Sequence, residues 1–298
     1  MHFTEIGQQL RAYRLESGLR AEEIAARLGV SRAALYRYEK GEVIKLDTIN
    51  RLAELLHISP LSLLGIGVEY YHRPVGYFER LRQIEESADQ ILQTDEPMAY
   101  LVTSPTLDAT LSAALEELAV ARAQAGGLPE ANQFRAAADQ VMGLLAARKR
   151  VFAERRPAII SILFVERICW FLEAGIVPGA PLSEKMRRRC REVAAAEVLH
   201  VAALMETQPM GLQFGLVDAP APNGTFRILR ARDHATLTIN PFPADQPAGA
   251  PGGVAMITSA EEAIAAHQRA AEALWHDALK GAEGASRLRA LVAAHPIA

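Results

Sequence analysis

Over residues 21–28 the apolar positions Ile24, Ala25 and Leu28 recur at the spacing of one helix face. Gly29 follows at once, where a left-handed residue closes a helix, and glycine takes that conformation without steric cost. Ser31 stands at the N-cap of a second short helix. That helix is expected to bury Leu35 and Tyr38, to leave Arg32, Ala33, Tyr36 and Arg37 outside, and to end at Gly41. Upstream, residues 3–17 turn Ile6, Leu10 and Tyr13 to one side. Downstream, residues 46–57 do the same with Ile49, Leu52, Ala53 and Leu56. Residues 60–64 make a short helix with proline in its first turn. The pattern therefore predicts five consecutive helices, an all-α unit over 1–66.

Four short motifs fall in register here: Gly18-Leu19, Glu22-Glu23-Ile24-Ala25, Leu28-Gly29-Val30-Ser31 and Tyr38-Glu39-Lys40-Gly41. Together they closely resemble the phage-repressor-type (Xre) helix-turn-helix, and the flanking helices extend the resemblance over about the first 66 residues. The resemblance implies that the second helix of the motif lies in a DNA major groove with its first residues at base edges. By position, Arg32, Ala33, Tyr36 and Arg37 would be the base contacts. Arginine can donate two hydrogen bonds to guanine O6 and N7, whereas Ala33 offers only a methyl group. Used without base readout, the same arginines would simply neutralise phosphates. Arg20, Ser31, Lys40 and Lys45 are placed to hold the DNA backbone. One position departs from the family. Where it often has a glutamine that braces the reading helix on a phosphate, this chain has Ala21, and Arg20 is expected to take over the phosphate contact.

Glu22, Glu23, Glu39 and Glu42 offset the arginines of this unit. Non-specific affinity grows with the number of phosphates neutralised, so one copy alone should bind weakly. A homodimer on a two-fold double-stranded operator is the expected arrangement.

Beyond residue 66 the pattern changes. Gly65 and Gly67 suggest a boundary. Residues 68–74 read as a linker, and 77–94 as an amphipathic connector helix with Phe78, Leu81, Ile84, Ala88 and Leu92 on one face. The segment 67–97 is thus expected to join the all-α unit to an α/β domain over 98–298. In that domain strands are expected at 98–104, 158–165, 211–218, 225–231, 235–240 and 254–258. Helices are expected at 107–124, 129–154, 166–174, 183–206, from a Ser259 cap to 279, and at 285–293. Asn223-Gly224 reads as a turn and 244–253 as a loop. Alternating strands and helices predict a mixed sheet with flanking helices. The order of elements over roughly 158–290 loosely resembles the sensor-like modules fused behind Xre domains, which are akin to phospholipase-D-like folds without catalytic residues.

The chain has 298 residues, so a 66-residue unit leaves a large remainder. The formal net charge of −3 argues against that remainder being a second nucleic-acid surface. No apolar run reaches the ~18 residues of a membrane helix, and no leader is apparent before the first helix. A cytoplasmic protein is expected, and two cysteines suit a reducing compartment. Phospholipase-D chemistry needs a histidine followed two residues later by lysine. His200 precedes Val-Ala and His234 precedes Ala-Thr, so neither fits. No Walker loop, nucleophile elbow or metal-ligand spacing occurs. The expectation is no enzyme activity, no cofactor and no metal. Arg187, Arg188, Arg189 and Arg191, with Arg155 and Arg156, form the main charge feature of the remainder. They are either a solvated helix face or a site for an anionic effector; Arg155, Arg156, Arg187, Arg188 and Arg191 are the effector candidates.

These features predict a sequence-specific bacterial transcription regulator whose α/β domain senses a small molecule, dimerises, or both. The alternatives are an enzyme that regulates its own gene and an antitoxin-like repressor that binds a partner protein.

Overall fold

The computed structural model describes residues 3–64, 67–94, 98–221, 225–242 and 253–297. Five helices open the chain: α1 (Phe3–Ser17), α2 (Ala21–Leu28), α3 (Arg32–Glu39), α4 (Leu46–Leu56) and α5 (Pro60–Leu63). There follow β1 (Val68–Tyr71), α6 (Pro74–Glu85), β2 (Gln90–Gln93), α7 (Pro105–Gly126) and α8 (Leu128–Arg155). Next come β3 (Ala158–Phe164), α9 (Val165–Ala174), α10 (Glu184–Thr207) and β4 (Leu212–Val217). The chain closes with β5 (Phe226–Arg230), β6 (Ala235–Ile239), β7 (Ala255–Thr258), α11 (Glu261–Asp277) and α12 (Gly281–Ala294).

The strands form one mixed sheet in the order β1-β7-β6-β5-β2-β3-β4. β2, β3 and β4 run parallel, as strands joined by helical crossovers must. The other pairs are antiparallel, and β5 and β6 make the expected hairpin around 231–234. Helices cover both faces. α11 closes one face over Leu92, Ile162, Phe164, Phe226, Ile228 and Leu237. α9, α10 and α12 pack with Leu163, Phe214 and Leu216 at the β4 edge. With both faces covered, β3 is a near-continuous apolar run, as its sequence predicted.

The segment 67–97, expected to be a linker and a connector helix, is built into the sheet. β1 pairs with β7, and β2 sits in the middle of the sheet between β5 and β3. The helix in it stops at Glu85, not near residue 94. The run Ser87–Asp89 breaks it, and Ile91 and Leu92 then point to opposite faces of a strand. The expected strand at 98–104 is instead a short 3₁₀ turn, Tyr100–Val102, whose Thr103 hydroxyl donates to the Tyr100 carbonyl at 2.8 Å. Its apolar run is too short and proline-bounded to join the sheet; Pro105 already opens α7. Ala260, not Ser259, caps α11. The expected boundary at Gly65, the turn at Asn223-Gly224 and nearly all of the loop 244–253 lie outside the described residues.

One apolar cluster runs without a break from Ile24, Leu35 and Leu52 in the first helices, through Tyr13, Tyr71, Phe78 and Leu81, to Ile91, Ile159 and Ile257 in the sheet. The N-terminal helices therefore do not hang from the body on a tether; α1 packs directly on α6. No helix of the described residues is long and apolar enough to cross a membrane.

Candidate nucleic-acid interface

α2 buries Ala21, Ile24, Ala25 and Leu28 and closes at Gly29, whose φ of 71° is left-handed. The Val30 N–H donates back to the Ala25 carbonyl at 3.0 Å, which turns the chain sharply into α3. There Ser31 caps as expected: its Oγ accepts the Ala34 N–H at 3.1 Å. The hydroxyl keeps its own proton, so it can donate to a phosphate oxygen while still capping. Leu35 anchors α3 in the core, fully buried.

Arg32, Ala33 and Arg37 are exposed on the outer side of α3, where the sequence placed them. Each arginine already has an acidic partner. Arg32 pairs with Glu22 of α2 at 2.7 Å, and Arg37 pairs with Glu42 at 3.1 Å. Tyr36 was expected outside and Tyr38 buried; both are half-buried against the core. The Tyr36 hydroxyl accepts from Arg32 Nε and Nη2 at 3.3 and 3.2 Å, and the Arg32 guanidinium lies 5.3 Å from the Tyr36 ring centroid. Arg32 is thereby held against the exposed side of α3.

Of the expected backbone contacts, Arg20 is the exposed N-cap residue of α2, and its N–H donates to the Glu23 carboxylate at 2.9 Å. Lys40 closes α3, Lys45 precedes α4, and both are exposed. The loop between them presents Val43 and leads to the equally exposed Leu46, while Ile44 pins it to the core.

Sequence reasoning missed the residues that hold α3 in place. Arg14 of α1 grips Glu39, the last residue of α3, with Nε at 2.5 Å and Nη2 at 3.2 Å; its guanidinium also lies 5.9 Å from the Tyr36 ring centroid. Arg11 lies 4.0 Å from the same carboxylate and bonds Glu79 of α6 at 2.7 Å. Glu79 also receives Arg82 at 3.0 Å. Burial pushes the Glu79 carboxyl pKa up, but the hydrogen bond from Arg82 and the charges of Arg11 and Arg82 outweigh it and hold it below the ordinary glutamate value. Gly7 lets α1 and α3 approach: a Cβ there would lie 2.5–2.8 Å from the Tyr38 and Glu39 carbonyl oxygens and the Gly41 nitrogen. This clamp holds the C-terminal end of α3, while Ala21, at the start of α2, is buried and offers no polar group. These pairs join residues 25 and 68 positions apart, so no local spacing announces them.

The effector candidates fall on different elements. Arg155 lies 3.8 Å from Asp89, just before β2, and Arg156 ends α8 in a left-handed conformation. Arg187 and Arg191 both pair with Glu184, and Arg188 with Glu192, within α10 itself. Arg189 turns to the Thr110 hydroxyl of α7 at 3.4 Å.

Residues 5–63 match the family model of the helix-turn-helix domain. That match covers α1 to α5 and includes every residue of the candidate interface named above save the α6 pair Glu79 and Arg82. A solved structure, that of TrmBL2, an archaeal chromatin protein described as showing a novel mode of DNA binding, is 10% identical over 78% of this chain. The chain spans 62% of that protein's length, and the TM-score is 0.31. Likeness at that level carries no inference for fold or function. No curated protein matches the chain.

Proposed function

We propose that the protein is a sequence-specific, Xre-type transcription regulator that reads DNA with α3. One observation carries this reading. The helix is capped by Ser31, clamped from behind by Arg14, and turns Arg32, Ala33 and Arg37 outward with none of them committed to the core. The helix-turn-helix match over residues 5–63 supports it. Arg32 and Arg37 exchange their acidic partners for guanine edges on binding, so each contact replaces an existing ion pair. Such exposed pairs are weak and yield readily to a bidentate base contact.

In this proposal the protein works in the cytoplasm as a homodimer on a two-fold site, since a near-neutral reading unit gains too little from one set of phosphates. The α/β body is a binding module of the phospholipase-D-like kind, without turnover, whose anionic effector biases the relative placement of the two reading helices. An effector can do so only through its differential affinity for the two placements.

Selection from a random duplex library with the full-length protein tests the reading. A recurring two-fold motif with guanines in each half-site is expected. Enrichment of no motif after repeated rounds would overturn it.

A further inference from the structure

The turn between β1 and α6 reaches the end of α1 and the segment that leads into α2. The Glu16 carboxylate, at the end of α1, accepts the main-chain N–H groups of His72 at 2.5 Å and Arg73 at 3.1 Å. These bonds fix the turn against the segment that leads from α1 into α2. The Arg73 guanidinium lies directly over Gly18, so close that any side chain at that position would collide with Nη1. It donates to the Glu16 carbonyl oxygen at 3.5 Å, a long bond that leaves most of its five donors facing outward. His72 and Arg73 are both exposed, as are Gly18 and Arg20, and Arg20 is only two residues beyond Gly18. The Glu16 carboxylate is half-buried and taken up by main-chain N–H groups, and its charge attracts those of His72 and Arg73, which helps to hold both side chains at the turn.

We propose that Arg73, with His72 beside it, grips the DNA backbone next to Arg20, so that the α/β body supplies part of the phosphate contact. This rests on the DNA-binding reading above and deepens it. Arg20 caps the helix that precedes the reading helix, where a duplex seated on α3 brings its phosphates. A cation held two residues from that cap by a fixed turn faces the same strand. Arg73 contrasts with Arg32 and Arg37, whose side chains are each matched to a carboxylate. It contributes charge without sequence information, so it raises affinity for every duplex alike and makes the whole body, rather than the helical region alone, the DNA-binding unit.

The test measures affinity by fluorescence anisotropy over a salt series, using the full chain and a duplex carrying the selected site. Each phosphate contact contributes a slope of about −0.9 in log K against log salt. Between 50 and 200 mM salt, Arg73→Gln should therefore lose about 3.5-fold less affinity than the wild type, with base preference unchanged. Arg73→Lys, which keeps the charge, should retain the wild-type slope. His72→Glu changes a side chain exposed to solvent and leaves its main-chain bond to Glu16; an unchanged melting temperature will show that the turn still holds beside the added carboxylate. The variant should weaken binding to all duplexes several-fold. Wild-type slopes and affinities for both Arg73→Gln and His72→Glu, in a preparation whose Arg32→Ala variant does lose selectivity, would overturn this inference alone. Absence of any DNA binding by the wild-type protein would overturn it together with the DNA-binding reading.

Discussion

The ring of Tyr13, on α1, stacks on that of Tyr71, at the end of β1, with centroids 5.2 Å apart and planes 13° from parallel. One ring belongs to the helix-turn-helix region and the other to the sheet, and both are almost completely buried. Around them Glu69 accepts from Tyr71 at 2.7 Å, Gln9 at 2.9 Å and Arg80 at 2.9 Å. The helix-turn-helix region and the body thus share one core and one polar cluster. Tyr71→Ala should cost about 3–5 kcal/mol. Wild-type denaturant unfolding should be a single transition by both far-ultraviolet dichroism and tyrosine fluorescence. An early, separate transition of the first 64 residues would show that the two regions fold independently.

Acid should loosen the same junction. Glu79 is held below its ordinary pKa, so its contribution to stability is complete above the unfolded-state value and lost as pH falls through the lowered folded value. The window lies below the ordinary glutamate value of about 4.3. Glu16 runs the other way: burial pushes it up, against its main-chain hydrogen bonds, so its charge opposes folding as pH rises. Comparing wild type with Glu79→Gln isolates the first effect. The variant should be less stable at pH 6, and the gap should shrink as the pH approaches 3. A gap independent of pH would mean that the Arg11 and Arg82 pairs are not what Glu79 supplies.

Ser31 caps α3, and the proposed function gives it a phosphate contact as well. Ser31→Ala removes the bond to the Ala34 N–H and should cost about 1 kcal/mol of stability. Ser31→Asp restores an acceptor and should recover that stability, yet it sets a negative charge against the DNA backbone. Melting temperature should therefore recover in the aspartate variant while DNA affinity falls further. Parallel recovery of both would remove Ser31 from the interface.

Gly7 is where α1 meets the C-terminal end of α3. Gly7→Ala forces a methyl group against main-chain oxygens at 2.5–2.7 Å and must push the helices apart. The Arg14–Glu39 clamp then loosens, so selectivity among operator variants should fall along with melting temperature. Unchanged selectivity in a destabilised Gly7→Ala protein would show that the clamp does not aim the reading helix.

The five N-terminal helices were legible because each carries local signals: a glycine at φ 71°, a serine cap, and apolar faces at helical spacing. Long elements such as β3 and α10 were equally plain. β1 and β2 were not. Each has four residues, and the apolar positions Ala88 and Leu92 continue the helical period of Phe78, Leu81 and Ile84, so the helix signal overran the strand. Val68-Glu69-Tyr70-Tyr71 did offer a clue, since aromatic and β-branched residues ahead of a proline favour a strand. The docking of the two regions depends on Tyr13 with Tyr71, Arg11 with Glu79 and Gln9 with Glu69. These contacts are made only once the chain has folded, so sequence spacing could not reveal them.

Base reading by α3 is tested most directly by repeating the library selection with Arg32→Ala and Arg37→Ala beside the wild type. Both arginines are exposed; Arg37 is held by Glu42, and Arg32 by Glu22 and by the hydroxyl and ring of Tyr36, so their loss should leave the fold intact. Each substitution should cost about 1–3 kcal/mol at the selected site and erase the preference at one position of each half-site, a different position for each variant. Selected motifs identical to the wild type in both variants, at undiminished selectivity, would contradict the account.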